Sequence, residues 1–258
     1  MSRAARLIRE WAPPAILLAA AVAAWEAAAR AGWVEDYLLP APSEVARALV
    51  EDRRLLLDDA WVTGQEVVLG FGLAVAAGVA IAVGLHLSSL ARRAVYPLVV
   101  ASQAVPVIVI APILVIWFGF GMAPKLIVIA LICFFPIVVN TLDGLRAVDP
   151  AQVKMLRTLG ADRWAVLRRL ELPAALPYLF SGAKVAVAVA VIGAVFGELV
   201  GSDAGLGHAI QVGMAQLLTA RVFAAVAILS AMAIALFALV SAAERLAVPW
   251  AGRRRAAA

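Results

Sequence analysis

Six long apolar stretches dominate the chain, at about residues 13–29, 65–87, 95–120, 126–142, 176–200 and 222–243. The hydrocarbon core of a bilayer is about 30 Å thick, and about 20 apolar residues cross it as a helix. This many such stretches cannot be hidden in one water-facing domain. Of 258 residues, 65% are hydrophobic and 15% charged, whereas soluble domains run near 45–50% apolar and about 25% charged. A soluble enzyme is excluded first and a disordered chain second. The pattern predicts an all-α polytopic membrane protein with about six transmembrane helices, forming one domain over 1–258. Glu26 interrupts the first stretch. No small-residue cleavage site with a polar mature start follows it, so it is read as a span and not as a signal peptide. Residues 185–191 alternate Val and Ala like a strand. They sit inside about 25 apolar residues, and an unpaired strand in lipid would leave its backbone unsatisfied, so helix is expected.

Basic residues set the orientation. With both termini inside, the inner segments carry Arg3, Arg6, Arg9, Arg92, Arg93, Arg146, Lys154, Arg157, Arg163, Arg168, Arg169, Arg245, Arg253, Arg254 and Arg255. The outer segments carry Arg30, Arg47, Arg53, Arg54, Lys125 and Arg221. This excess inside obeys the positive-inside rule. Trp11 and Trp250 fall at inner boundaries, and Trp33, Trp61 and Trp117 at outer ones. A net charge of +5 would suggest nucleic acid in a soluble protein. Here it reflects cytoplasmic loops, and no nucleic-acid partner is expected. The single Cys133 excludes an internal disulfide, and two histidines leave no expected metal site.

Small residues recur every four positions at Gly70, Ala74, Gly78 and at Gly182, Ala186, Ala190, Ala194. Such faces let helices approach closely in lipid. Pro97, Pro106, Pro112 and Pro136 interrupt the third and fourth spans, either as packed kinks or as breaks lining a pathway. Lys184 lies about nine residues into the fifth span, where a cation either faces protein and water or snorkels. Glu26, Glu66 and Glu198 could together rim an outer mouth. No His-Glu-x-x-His, Gly-x-Ser-x-Gly or P-loop occurs, so no catalytic group, metal or ATP site is assigned to this chain. His86 and His208 stand alone.

The stretch 149–173 reads DPAQVKMLRTLGADRWAVLRRLELP. Asp149 suits an N-cap with Pro150 at the first helical position. Val153, Leu156 and Leu159 follow along one side, and Gly160 suits a left-handed C-cap. Asp162 then caps a second short helix bearing Trp164, Leu167 and Leu170, which Leu172-Pro173 ends. Two uses fit an amphipathic helix–turn–helix on the basic side. It either lies on lipid or fills a groove in a cytoplasmic partner.

Gly160, followed after nine residues by Leu170-Glu171-Leu172-Pro173, resembles the signature loop of ATP-binding-cassette importer permeases. Lys154, Met155 and Leu156 stand where that signature has Glu-Ala-Ala. Leu39-Pro40-Ala41-Pro42-Ser43, Trp117-Phe118-Gly119-Phe120-Gly121, Phe135-Pro136-Ile137-Val138-Val139-Asn140 and Ala204-Gly205-Leu206-Gly207 extend the likeness along the chain. The set is similar to the nitrate/sulfonate/taurine group, and within it to permeases for thiamine-pyrimidine precursors or riboflavin. The resemblance implies a type I importer permease in the cell inner membrane. It implies that Val153, Lys154, Leu156, Arg157, Leu159, Gly160, Ala161, Trp164, Leu170 and Pro173 dock on an ATPase subunit, which would carry ATP and Mg. A substrate-binding protein outside and a second, identical permease chain are the other implied partners. Pro106, Pro112, Lys184 and Glu198 are the pathway candidates. The rival reading is an ion-coupled secondary transporter using Lys184 and Glu66 as a pair.

Overall fold

The computed structural model describes residues 3–32, 35 and 37–250, with side chains from residue 12 onward. Trp33, Arg253, Arg254 and Arg255 lie outside the described residues, as do the side chains of Arg3, Arg6, Arg9 and Trp11. The described chain is helical throughout. Helix α1 (Arg3–Arg30) leads to the short amphipathic α2 (Pro42–Glu51) and the long α3 (Arg53–Leu87). Then come α4 (Ser89–Ala101), α5 (Val107–Phe118) and α6 (Met122–Arg146). The 149–173 region gives α7 (Pro150–Thr158) and α8 (Arg163–Val166). Helix α9 (Leu172–Gly201), α10 (Leu206–Ala215) and α11 (Thr219–Ala247) complete the chain. Five helices are long and apolar enough to span a membrane, and a bent pair makes a sixth candidate.

Helix α6 is the axis of the bundle, with its largest interfaces on α9 and α3. Both small-residue faces read from the sequence lie against it. A Cβ at Gly70 would come within 2.7 Å of Ile129, and one at Gly78 within 2.7 Å of Ile137. From the other side, Gly182 sits over the Pro136 carbonyl, and Ala186, Ala190 and Ala194 are fully buried. Small side chains thus let three backbones close on one another, which is the dominant attraction between helices in lipid. The Val-Ala alternation at 185–191 is helical, as length required.

Two expectations need correction. The stretch 95–120 is not one continuous helix: Ser89–Ala104 and Val107–Phe118 meet at 100°. Pro106 cannot donate to a helix running through it, and it disfavours helical geometry at Val105, which is extended at φ −86°, ψ 119°. Nor does a short second helix end at Leu172-Pro173. Helix α8 passes through a π turn at Leu167–Glu171 into α9, giving one helix from Arg163 to Gly201. In a regular helix the Pro173 ring would collide with the carbonyl four residues back, and the wider turn immediately before it relieves that clash.

Candidate functional site

The helix–turn–helix forms much as its residues dictate. Asp149 accepts from Ala151 N at 2.8 Å and Asp162 from Ala165 N at 2.6 Å, each satisfying an orphan donor. Gly160 turns the chain at φ +85°, with Ala161 N donating to Leu156 O. Replacing Asp149 by Ala should loosen α7 by about 1 kcal/mol, seen as faster amide exchange over 150–158 with the spans unchanged.

The element projects outward yet is braced at its base. Val153 and Leu156 are half-buried, Lys154, Arg157 and Gly160 exposed, and Ala161 and Leu170 half-buried, as is Pro173. Leu159 is 76% exposed, Trp164 60% and Met155 59%, a cluster of large apolar side chains open to a partner. Below them Leu167 is buried with Leu145 and Ala175, against Val83, Leu87 and Leu172. His86 of α3 meets Glu171 at 2.9 Å, and the Arg163 guanidinium donates to the Leu87 carbonyl. The isolated His86 of the sequence is therefore a brace between α3 and the π turn.

A second polar assembly lies at the other end of the same helices. Asp59, Thr63 and Glu66 share one face of α3, and all are buried. Lys125, in the first turn of α6, reaches Glu66 Oε1 and Ser202 Oγ, each at 2.6 Å. Glu198 is fully buried, accepting from Thr63 Oγ1 at 2.6 Å and from Gly207 N. Gly205 N donates to Asp59 Oδ1 at 2.8 Å, and Leu206 N to Thr63 Oγ1 at 2.9 Å. The first amides of α10 are thus met by a carboxylate, a hydroxyl and a second carboxylate, which suits the positive end of a helix. Gly205, at φ +109°, has Glu198 where a Cβ would stand. Sequence reasoning counted Lys125 as an outer loop charge and missed Asp59, Thr63 and Ser202. Polar residues at 59, 63 and 66, which share one helical face, were the available signal.

The three acids expected to rim a mouth are not together. Glu26 pairs with Arg30 and accepts from Ser43 N at 3.0 Å and Ser43 Oγ at 2.8 Å, capping α2, while Glu66 and Glu198 are interior. Lys184 pairs with Glu244 in the last turn of α11. Glu66 belongs to Lys125, so the Lys184–Glu66 pair of the secondary-transporter reading is not formed. Pro106, at the N-cap of α5, and Pro112 within it stand exposed, with Ile113, Ile116 and Trp117 also exposed on α5. Near the α2–α3 junction, α2 and the α10–α11 connection frame an open cleft of about 600 Å³ lined by Glu44, Arg47, Glu51, Asp52 and Arg221. Arg221 holds Asp52 across it at 2.7 and 2.9 Å.

Residues 73–251 match the family described as binding-protein-dependent transport system inner membrane component. The chain belongs to that family. This permease is 37% identical over 227 residues to the formylaminopyrimidine transport permease protein ThiX of Halalkalibacterium halodurans, covering 88% of this chain and 90% of that one. It is 40% identical over 159 residues to the riboflavin transport system permease protein RibX of Chloroflexus aurantiacus, covering 62% and 59%. Its fold is that of a chain from an inward-facing MetNI methionine ABC transporter, at a TM-score of 0.67, 18% identity and 76% and 98% coverage. The permease is therefore an ABC importer component, and the secondary-transporter alternative is set aside.

Proposed function

We propose that this permease moves a small nitrogen heterocycle of the thiamine-pyrimidine-precursor class inward, driven by a cytoplasmic ATPase that grips α7, Gly160 and α8. The observation carrying the docking reading is the exposure of three large apolar side chains, Met155, Leu159 and Trp164, on one short helix–turn–helix, which suits a groove in a partner. The basic excess around it supports the cytoplasmic side, and hence both termini inside. Lys154 and Arg157 flank the cluster and suit an acidic rim on the ATPase. The brace through His86, Glu171 and Arg163 would carry a push on α7 into α3 and α9 together. The solute path is read along the exposed face of α5, past Pro106 and Pro112, and closed by a second copy of the chain. Lys184 and Glu198 are tied into helix pairing in this conformation. An external binding protein delivers the solute to the opposite face. The substrate class rests on the likeness to ThiX, and the likeness to RibX favours riboflavin as the second reading.

The test is uptake of labelled formylaminopyrimidine and of riboflavin by cells expressing the permease with its genomic ATPase and binding protein. Uptake of the pyrimidine that needs the ATPase and survives collapse of the proton gradient is expected. Riboflavin uptake alone would replace the substrate reading. Gly160→Val should abolish most uptake at unchanged chain abundance, because a β-branched residue resists φ +85°. A cysteine in place of Leu159 should cross-link to the ATPase. Normal coupling in Gly160→Val and no cross-link would overturn the docking assignment.

A further inference from the structure

Between Pro97 and Pro124 the polar side chains, Trp117 aside, are Ser102 and Gln103. Both fall at the break between α4 and α5, and packing fixes the depth of that break. Val99 of α4 shares a buried cluster with Val138 and Leu142 of α6, against which Phe134 packs. Ala111 and Leu114 of α5 share another with Val128, against Leu131 and Ile132. Residues 102–106 are therefore level with the middle of α6, whose central residue is Phe134. Helix α6 is long enough to cross the bilayer, so the break lies near mid-depth. Ser102–Ala104 form a single 3-10 turn and Val105 is extended. Gln103, Ala104, Val105 and Pro106 are all exposed. Irregular backbone at this depth is tolerated only where protein or a water-filled path covers it, because lipid offers no hydrogen bonds.

Gln103 sharpens that demand. Its Nε2 donates only a long bond, 3.4 Å, to Ser102 Oγ, which itself donates to the Val99 carbonyl. Gln103 Oε1 receives no donor from the described residues. Facing lipid, such an amide would lose its hydration with nothing in return. Facing a wet path, it is free to hold a solute. A carboxamide sets a donor beside an acceptor. It pairs both ways with an exocyclic amine next to a ring nitrogen, as glutamine does with adenine, and an aminopyrimidine has that edge. Nitrate or a sulfonate offers acceptors alone and leaves Oε1 unmet. Nor is a countercharge close along the chain. Helix α5 has no ionisable residue, and Lys125 is held by Glu66. Arg93 is ten residues away along the chain, about 15 Å of helix. We propose that Gln103 lines the solute path at mid-bilayer and holds the amine–ring-nitrogen edge of a neutral nitrogen heterocycle in transit. The proposal rests on the inward path and substrate class read above, and names the residue that recognises the solute inside the membrane.

Two arms test it on the permease assembled with its ATPase and binding protein in liposomes. The first needs no solute. Gln103→Cys should react with a charged, water-soluble methanethiosulfonate during ATP turnover, while the native Cys133, fully buried, gives the blank. A cysteine at 103 that stays unreactive overturns the wet placement. The second arm measures labelled formylaminopyrimidine, or riboflavin if wild type carries that instead, taken up per ATP hydrolysed. Gln103→Leu loses both halves of the pairing, so this ratio should fall about tenfold, the scale of one or two lost neutral hydrogen bonds. Gln103→Asn keeps the amide and should recover part of it. A merely structural fault would lower uptake and hydrolysis together and leave the ratio at the wild-type value. That result, or equal ratios in Gln103→Leu and Gln103→Asn, overturns recognition by the amide. A wild type that carries neither solute overturns the substrate reading instead, and the cysteine arm then decides the place of Gln103 by itself.

Discussion

Lys125→Met is expected to destabilise the folded chain by about 3–5 kcal/mol, the range found when one member of a buried ion pair is removed. Its ammonium is within 2.6 Å of both Glu66 Oε1 and Ser202 Oγ, and the two side chains of the ion pair are 8% and 2% exposed. Methionine has nearly the same length and volume, so the loss is electrostatic and not a cavity. Removing the lysine leaves Glu66 with neither oxygen satisfied and frees the Ser202 turn, so the start of α10 loosens with it. The double change Lys125→Met with Glu66→Met should recover much of the loss, because an apolar pair needs no desolvation. Thermal unfolding in nanodiscs measures both. A double variant no better than the single one would move the cost from the ion pair to the Ser202 contact.

The architecture was legible where physics is local. Apolar length gave the spans, and the Gly-Ala spacings gave the faces that meet α6. Asp149, Gly160 and Asp162 gave the projecting turn, because caps and a left-handed residue are set by near neighbours. The sequence was less informative where partners are distant. Lys125 and Glu66 are 59 positions apart, as the hydrogen bond between them records, and no periodicity joins them. Lys184 looked like a lone charge in lipid because Glu244 lies 60 positions on. Pro106 marked an interruption, but the high overall apolarity of 95–120 concealed a turn of 100°. Leu172-Pro173 looked like a stop, and the π turn that lets the helix continue leaves no mark on composition.

Gly182→Val is expected to be the most damaging change at the helix seam. Its Cβ would lie 2.5 Å from the Pro136 carbonyl oxygen and 2.9 Å from Asn140 Cβ. A backbone carbonyl cannot rotate away as a side chain can. Asn140 Nδ2 also donates to that same carbonyl at 2.8 Å, so the clash strikes the group that steadies the Pro136 kink. Overpacked cores typically lose about 1–3 kcal/mol. Here α6 and α9 must separate along a seam that runs from Gly144 on Tyr178 to Gly197 on Lys125, so a loss of at least about 3 kcal/mol is expected. Gly72→Ala is the control: nothing lies within 4 Å of its Cβ, and the change should stay within about 0.5 kcal/mol. Unfolding temperatures of the two variants in one nanodisc preparation give the comparison. If Gly182→Val were as stable as Gly72→Ala, the α6–α9 seam would have slack. A push arriving at the base of α9 would then dissipate there before reaching the Lys125 assembly, instead of moving both ends of the bundle as one body.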